Sequence, residues 1–299
     1  MTKGPLKAKK MKFGSLLSII VAPFARRFIA GITLTDALKT VSRLSRAGFH
    51  TTLDHLGEDV ENKEEASEAA NEYLIMLRAL GERGLEKNVS LKLSQMGLGI
   101  DKNFCLQNLK SIVSAAETVG GFVRVDMEGS PTTDDTLDII RSTKTSHNTP
   151  AGIVLQAMLK RTPDDLINML ENKITIRLCK GAYKENSEIA FTKMNDIRRE
   201  FIALAKRLLT SGMYHGIATH DPKIISEIRR FAQEHGISKN SFEFQMLLGI
   251  RTRLQKKLVA NGYRVRIYVP FGRSWLAYSL RRLREKKENL WFFASGFFN

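Results

Sequence analysis

One pattern constrains this chain more than any other. From residue 50 onward, short runs of β-branched or apolar residues alternate with longer amphipathic stretches, eight times over. The period-two and 3.6-residue spacings predict strands over 50–53, 89–93, 122–127, 152–156, 175–179, 215–219, 242–246 and 264–269. Helices are expected between and after them, over 63–81, 102–119, 133–143, 163–171, 188–210, 222–235, 251–261 and 273–287, with one more, 33–47, ahead of the first strand. Strict strand–helix alternation implies a parallel sheet, and eight units in about 240 residues match a closed barrel. An open doubly wound sheet would more often have fewer strands and a glycine-rich first turn. Here the first strand runs into Asp54, His55, Leu56, Gly57 and Glu58, and no GxGxxG occurs. The expected fold is therefore α/β, a (β/α)8 TIM-like barrel with an N-terminal helical arm. Residues 1–32 form a basic arm and 33–299 the barrel.

Charge is distributed unevenly along this frame. The net charge of +16 comes from the two ends. Residues 1–27 hold seven Lys or Arg and no acid, and 251–287 hold twelve against Glu285 alone. Such ends suit contact with a polyanion, either a membrane surface or nucleic acid. No aromatic residues interleave with the basic runs in the manner of RNA-binding sheets, so nucleic acid is not expected. No apolar run reaches the roughly 18 residues needed to span a bilayer. The short apolar stretch 16–24 is broken by Ser18 and Pro23 and followed by Arg26 and Arg27, which argues against an export signal and for an arm that rests on a membrane or leads into the fold. Cys105 and Cys179 are the two cysteines; with no CxxC, HxH or HExxH spacing, neither a disulfide framework nor a metal site is expected.

Barrel enzymes carry their chemistry at the C-terminal ends of the strands. The polar residues expected there are Asp54 and His55, Lys92 and Ser94, Asp126 and Glu128, Gln156, Arg177 and Lys180, Thr219, His220 and Asp221, Gln245, and Tyr268. Taken together they form a ring of mixed charge, in which Lys92 and Asp126 come from adjacent strands and can pair. Mere charge neutralisation explains that pair as well as catalysis does. Lys180, Gly181 and Ala182 follow a strand with a cation and then residues without bulk, which lets backbone amides approach a phosphate or a flavin. On the last helix, Tyr278 lies three and four residues before Arg281 and Arg282 and so shares a face with them. Two adjacent guanidinium groups suit a small carboxylate or phosphate, although Glu285 can also compensate them, and a solvated basic face remains open.

The runs LDHLGE (53–58), LKLSQMG (91–97), RVDMEGS (124–130), IVLQAMLKR (153–161), IRLCKGAYKE (176–185), ATHDP (218–222), FEFQMLLGIR (242–251) and RIYVPFG with YSLRRL together resemble bacterial monofunctional proline dehydrogenase. The resemblance runs in order from about residue 28 to 298. It implies an FAD-dependent barrel that oxidises L-proline to pyrroline-5-carboxylate, the first step of proline catabolism to glutamate, by hydride transfer from the ring to flavin N5. Electrons then pass to a membrane quinone. By resemblance, Arg281 and Arg282 hold the proline carboxylate, Lys92 and Asp126 shape the pocket floor, and Leu247, Tyr268 and Tyr278 enclose the ring. Met127, Gln156, Arg177, Lys180, Gly181, Ala182, Thr219 and His220 line the FAD, with Arg177 beside the isoalloxazine; Asp126 and Arg177 are the candidate catalytic residues. The chain departs from the family pattern at Cys179, Gly129, Arg273 and Ser274, none of them a candidate site residue. With the basic arm, the resemblance implies a cytoplasmic enzyme peripheral at the inner face of the membrane. A dehydrogenase of hydroxyproline or another cyclic imino acid, and a non-catalytic polyanion-binding barrel, are the alternatives.

Overall fold

A computed structural model describes residues 27–57, 60–144, 149–276, 278 and 279. The arm up to residue 26 lies outside the described residues. So does most of the helix expected over 273–287, including Arg281 and Arg282.

Eight strands close into a parallel barrel in sequence order: β1 (His50–His55), β2 (Asn88–Leu91), β3 (Phe122–Val125), β4 (Ala151–Gln156), β5 (Thr175–Cys179), β6 (His215–Ala218), β7 (Phe242–Leu247) and β8 (Val265–Phe271). The closing ladder pairs β1 with β8 from His50↔Arg266 to His55↔Phe271. The α-helices bounded within the described residues are α1 (Leu34–Arg46), α2 (Lys63–Glu82), α3 (Lys102–Thr118), α4 (Thr133–Thr143), α5 (Thr162–Glu171), α6 (Met194–Leu209), α7 (Pro222–Glu234) and α8 (Thr252–Ala260). This is the expected (β/α)8 architecture.

Period two along each strand separates two environments. Leu53, Val89, Leu91, Val123, Val125, Ile153, Ile176, Ile217, Phe244 and Ile267 are all buried to within about a hundredth of their surface in the main apolar core, with helix residues such as Met76, Leu109, Leu166 and Phe201. The alternate positions face the barrel interior and are largely polar. Ser90, Arg124, Arg177, Glu243, Gln245 and Arg266 are all buried and hydrogen-bonded to one another or to strand carbonyls. Burial of so many charges is tolerable only where each finds partners. Arg124 meets that requirement by donating Nη1 to the carbonyls of Thr175 at 2.6 Å and Ile153 at 3.1 Å; burial, then the neighbouring Arg177 charge, lowers its pKa to about 9.

Two elements depart from the simple repeat. In a regular barrel the helix after the last strand covers the β8/β1 seam. Here α1, which precedes the first strand, packs against both β1 and β8, burying Ala37, Leu38 and Val41. The segment after β8 therefore starts at the mouth: Tyr278 is buried against Ile29 and Leu56, with Trp275 and Leu276 beside it. Residues 27–31 run along the same rim, Ala30 donating to the Pro270 carbonyl and Gly272 to that of Gly31. The second departure concerns the helix expected over 188–210, which starts at Met194. The residues before it pair instead with the loop after β4, through Lys160 N to Ile189 O and Phe191 N to Met158 O. Among the described residues no helix is long and apolar enough to cross a membrane.

Candidate active site

At the C-terminal end of the barrel, β2, β5 and β8 bring three hydrogen-bonding side chains onto one carboxylate at the end of β3. Asp126, one residue beyond β3, accepts Ser90 Oγ and Arg177 Nη1 at Oδ1, both at 2.8 Å, and the Tyr268 hydroxyl at Oδ2, at 2.9 Å. Arg177 Nη1 also reaches Ser90 Oγ at 2.9 Å, and its Cζ stands 5.5 Å from the centroid of the Tyr268 ring. Lys92 Nζ lies between two carboxylates, 3.9 Å from Asp126 Oδ2 and 3.9 Å from Asp54 Oδ2. The cluster thus joins two cations and two acids with a phenol, most of it shielded from water.

The electrostatics follow from that shielding. Asp54 is fully buried, and desolvation raises its pKa, with Lys92 opposing and Asp126 reinforcing the shift. Its Oδ2 has no hydrogen bond among the described residues. Tyr268 is held well above the ordinary phenol value by burial and then by the Asp126 and Asp54 charges, so it acts as a hydrogen-bond donor throughout the physiological range. Beneath the cluster the polar chain continues. Arg177 Nε donates to Gln245, Gln245 Nε2 to Glu243 Oε1, and Arg266 grips Glu243 through Nε and Nη2.

A second group lies around the ends of β4, β5 and β6. Gln156 Nε2 donates to the Glu128 carbonyl at 2.9 Å. Lys180 Nζ and Arg198 Nε share Asp221 Oδ2 at 2.8 and 3.0 Å. Burial pushes Asp221 up, but the two cations outweigh it and hold its pKa at about 2. His220 Nε2 accepts the backbone N–H of Leu247, and Thr219 Oγ1 accepts that of Asp221. Gly181 turns the chain at φ +105°, where a Cβ would stand 2.5 Å from Met158 Sδ; only glycine fits that turn. Ala182 beside it is exposed, and Met127 is buried at the end of β3.

Of the residues singled out from the sequence, Lys92, Asp126, Arg177 and Tyr268 meet in one cluster. Leu247 is the register partner of Tyr268 across β7 and β8, and Tyr278 closes the rim against Leu56. Gln156, Lys180, Gly181, Thr219 and His220 lie along the neighbouring strand ends. Arg281 and Arg282 lie outside the described residues. Sequence reasoning passed over Ser90 and Glu243, whose signal was present: each stands two residues before a ring residue, Lys92 or Gln245, and so shares its inward face.

The proline dehydrogenase family model matches residues 37–295 of the chain. Proline dehydrogenase 1 of Bacillus subtilis strain 168 is 40% identical over 272 residues, covering 91% of this chain and 90% of that protein. The proline dehydrogenase of Deinococcus radiodurans is 38% identical over 276 residues, covering 91% and 89%. Among solved structures, proline utilization A from Bdellovibrio bacteriovorus, inactivated by N-propargylglycine, superposes with a TM-score of 0.86 at 25% identity. That match covers 92% of this chain and 34% of the other, so the chain spans about a third of that larger protein's length.

Proposed function

The chain belongs to the proline dehydrogenase family and is an enzyme of proline oxidation; from that premise we propose that it is FAD-dependent and converts L-proline to pyrroline-5-carboxylate. One observation carries the reading beyond the family: Arg177, Lys92, Asp126 and Tyr268 converge at the end of the barrel where such folds do their chemistry. The donor set along β4 to β6 fits a flavin dinucleotide. Arg177, Lys180, Thr219 and His220 offer cations and polar groups to a pyrophosphate and a ring system, and Gly181 removes side-chain bulk from the same rim. Met127, Gln156 and Ala182 complete the proposed lining.

When bound, FAD supplies the acceptor at N5 for the hydride leaving the ring carbon of proline, and a membrane quinone takes the electrons onward. The protein's part is to place and prepare the substrate. By this reading Arg281 and Arg282 hold the carboxylate, while Leu247, Tyr268 and Tyr278 enclose the ring and keep water out. Proline arrives protonated on nitrogen, and that nitrogen must be neutral before its lone pair can form the imine. Cations such as Arg177 and Lys92 favour the neutral amine. Asp126 holds Arg177 and the Tyr268 hydroxyl in place and forms, with Lys92, the pocket floor. The division into a basic arm (1–32) and a barrel (33–299), and a cytoplasmic location peripheral to the inner face of the membrane, belong to the same proposal.

The test is a visible spectrum. The purified protein is expected to be yellow, and anaerobic L-proline to bleach the flavin band. A colourless chain that stays inactive after incubation with FAD would overturn the proposal.

A further inference from the structure

We propose that Gln245, oriented by Glu243, is a positioning residue that fixes the Arg177 guanidinium for its work at the barrel mouth; the inference rests on the reading that Arg177 faces the reacting groups. Arg177 is anchored from opposite sides of the barrel. Its Nη1 is held by Asp126 and Ser90, from β3 and β2, and its Nε by the Gln245 amide oxygen on β7. Those contacts occupy two of the three nitrogens. Nη2, with no hydrogen-bond partner among the described residues, is the remaining donor for a ligand.

The chemistry dictates which way the Gln245 amide points. Arg177 Nε can only donate, so it must meet the amide oxygen. The amide nitrogen then faces Glu243 Oε1 at 2.6 Å, which can only accept while ionised. Burial pushes Glu243 up, yet its pKa is lowered overall by Arg266 and the Tyr214 hydroxyl, at 2.8 Å, together with Gln245. Arg266 is tied in turn to Glu86 at 2.9 Å and to the Thr51 carbonyl at 2.7 Å. A continuous run of polar contacts therefore joins the barrel base to Asp126, and Gln245 is its neutral, orientable link between Glu243 and Arg177. Glutamate there would confront Glu243 with a second carboxylate. A hydrophobic residue would leave Arg177 Nε buried without an acceptor, so Arg177 would rotate about its Nη1 anchors. Room for the amide depends on Gly216: a Cβ at that position would stand 2.3 Å from Gln245 Nε2.

Two variants test this from different directions. Gln245→Met removes the acceptor at nearly constant volume, and Gly216→Ala keeps Gln245 but pushes on its amide. Both are read by the Arg177 Nε–H resonance of the full chain as purified, and by steady-state kinetics with L-proline and a dye acceptor. In Gln245→Met the Nε–H resonance is expected to shift and lose its protection from exchange. Because a charge-assisted hydrogen bond is lost, kcat should fall about 10- to 100-fold while KM changes less than about threefold. Gly216→Ala should shift the same resonance and lower kcat in the same direction by a smaller factor. An unmoved Nε–H resonance in both variants, or wild-type kcat in folded Gln245→Met, overturns the positioning role. Failure of the unaltered protein to oxidise proline would instead remove the functional reading, and the resonance would still decide the positioning.

Discussion

At the scale of single residues, the barrel interior shows how a polar side chain survives burial, and His215 shows it most cleanly. It opens β6 at the barrel base, 1% exposed. Its Nδ1 accepts the Ile176 backbone N–H at 3.0 Å, which places the ring proton on Nε2, donated to Ser211 Oγ at 2.9 Å. That hydroxyl passes its own proton to the Leu208 carbonyl at 2.7 Å. A protonated ring would lose the first of these bonds. Burial, and then the Arg124 charge, accordingly lower its pKa from 6.5 to about 3. Between those values the unfolded chain binds the proton and the folded one does not, so stability falls as pH drops below 6.5. By pH 5 the loss is about 2 kcal/mol. His215→Asn keeps an acceptor near Ile176 but does not titrate. Urea unfolding at pH 7 and pH 5 should therefore show a loss about 2 kcal/mol smaller in the variant than in the unaltered chain. Equal losses would mean that His215 is not buried neutral.

At the scale of elements, α1 matters more than its position ahead of the repeat suggests. Its capping box is complete: Thr33 Oγ1 accepts the Asp36 N–H at 3.2 Å, and Asp36 Oδ2 accepts the Thr33 N–H at 3.3 Å. Thr33→Ala should cost about 1 kcal/mol and Thr33→Ser only a few tenths, read from denaturant midpoints. An alanine variant with an unchanged midpoint would show that packing on β1 and β8 alone sets this helix. The helix itself was legible, since Leu34, Ala37, Leu38 and Val41 recur at its period, but its seat was not. Sequence order assigns each helix to the strand before it, and only the closed barrel reveals that the β8/β1 seam is filled from the other end. The long helix expected over 188–210 failed for a related reason. Ala190 and Phe191 fit a helical stripe, yet backbone bonds to Met158 and Lys160 tie their segment to the loop after β4 as one turn and a single bridge, and no local pattern announces such a partner.

At the scale of the whole molecule, the eight-fold alternation made the barrel readable, because parallel strands buried on their helix-facing side must be apolar there. The ring of site candidates was readable for the same geometric reason. What the sequence could not convey is depth: nothing local shows that Lys92 is shared by Asp54 and Asp126, or that Gln245 ties Arg177 to Glu243 and the barrel base. The uneven charge remains to be given a role, and the proposed quinone acceptor supplies one, because it requires the enzyme to visit a membrane. Each lysine close to an anionic surface contributes about 1 kcal/mol, and the attraction falls off within roughly 8 Å at physiological salt. The lysines at 3, 7, 9, 10 and 12 beside the apolar run 16–24 are therefore the proposed contact. Full-length protein should sediment with vesicles containing anionic phosphatidylserine, and should be released as salt rises from about 0.05 to 0.5 M. Removing residues 1–26 should abolish most of that binding while leaving dye-linked proline oxidation unchanged, since the barrel and its site lie beyond the cut. Equal vesicle binding by the shortened chain would move the contact to the basic residues of 251–287, and binding insensitive to salt would exclude an electrostatic surface altogether.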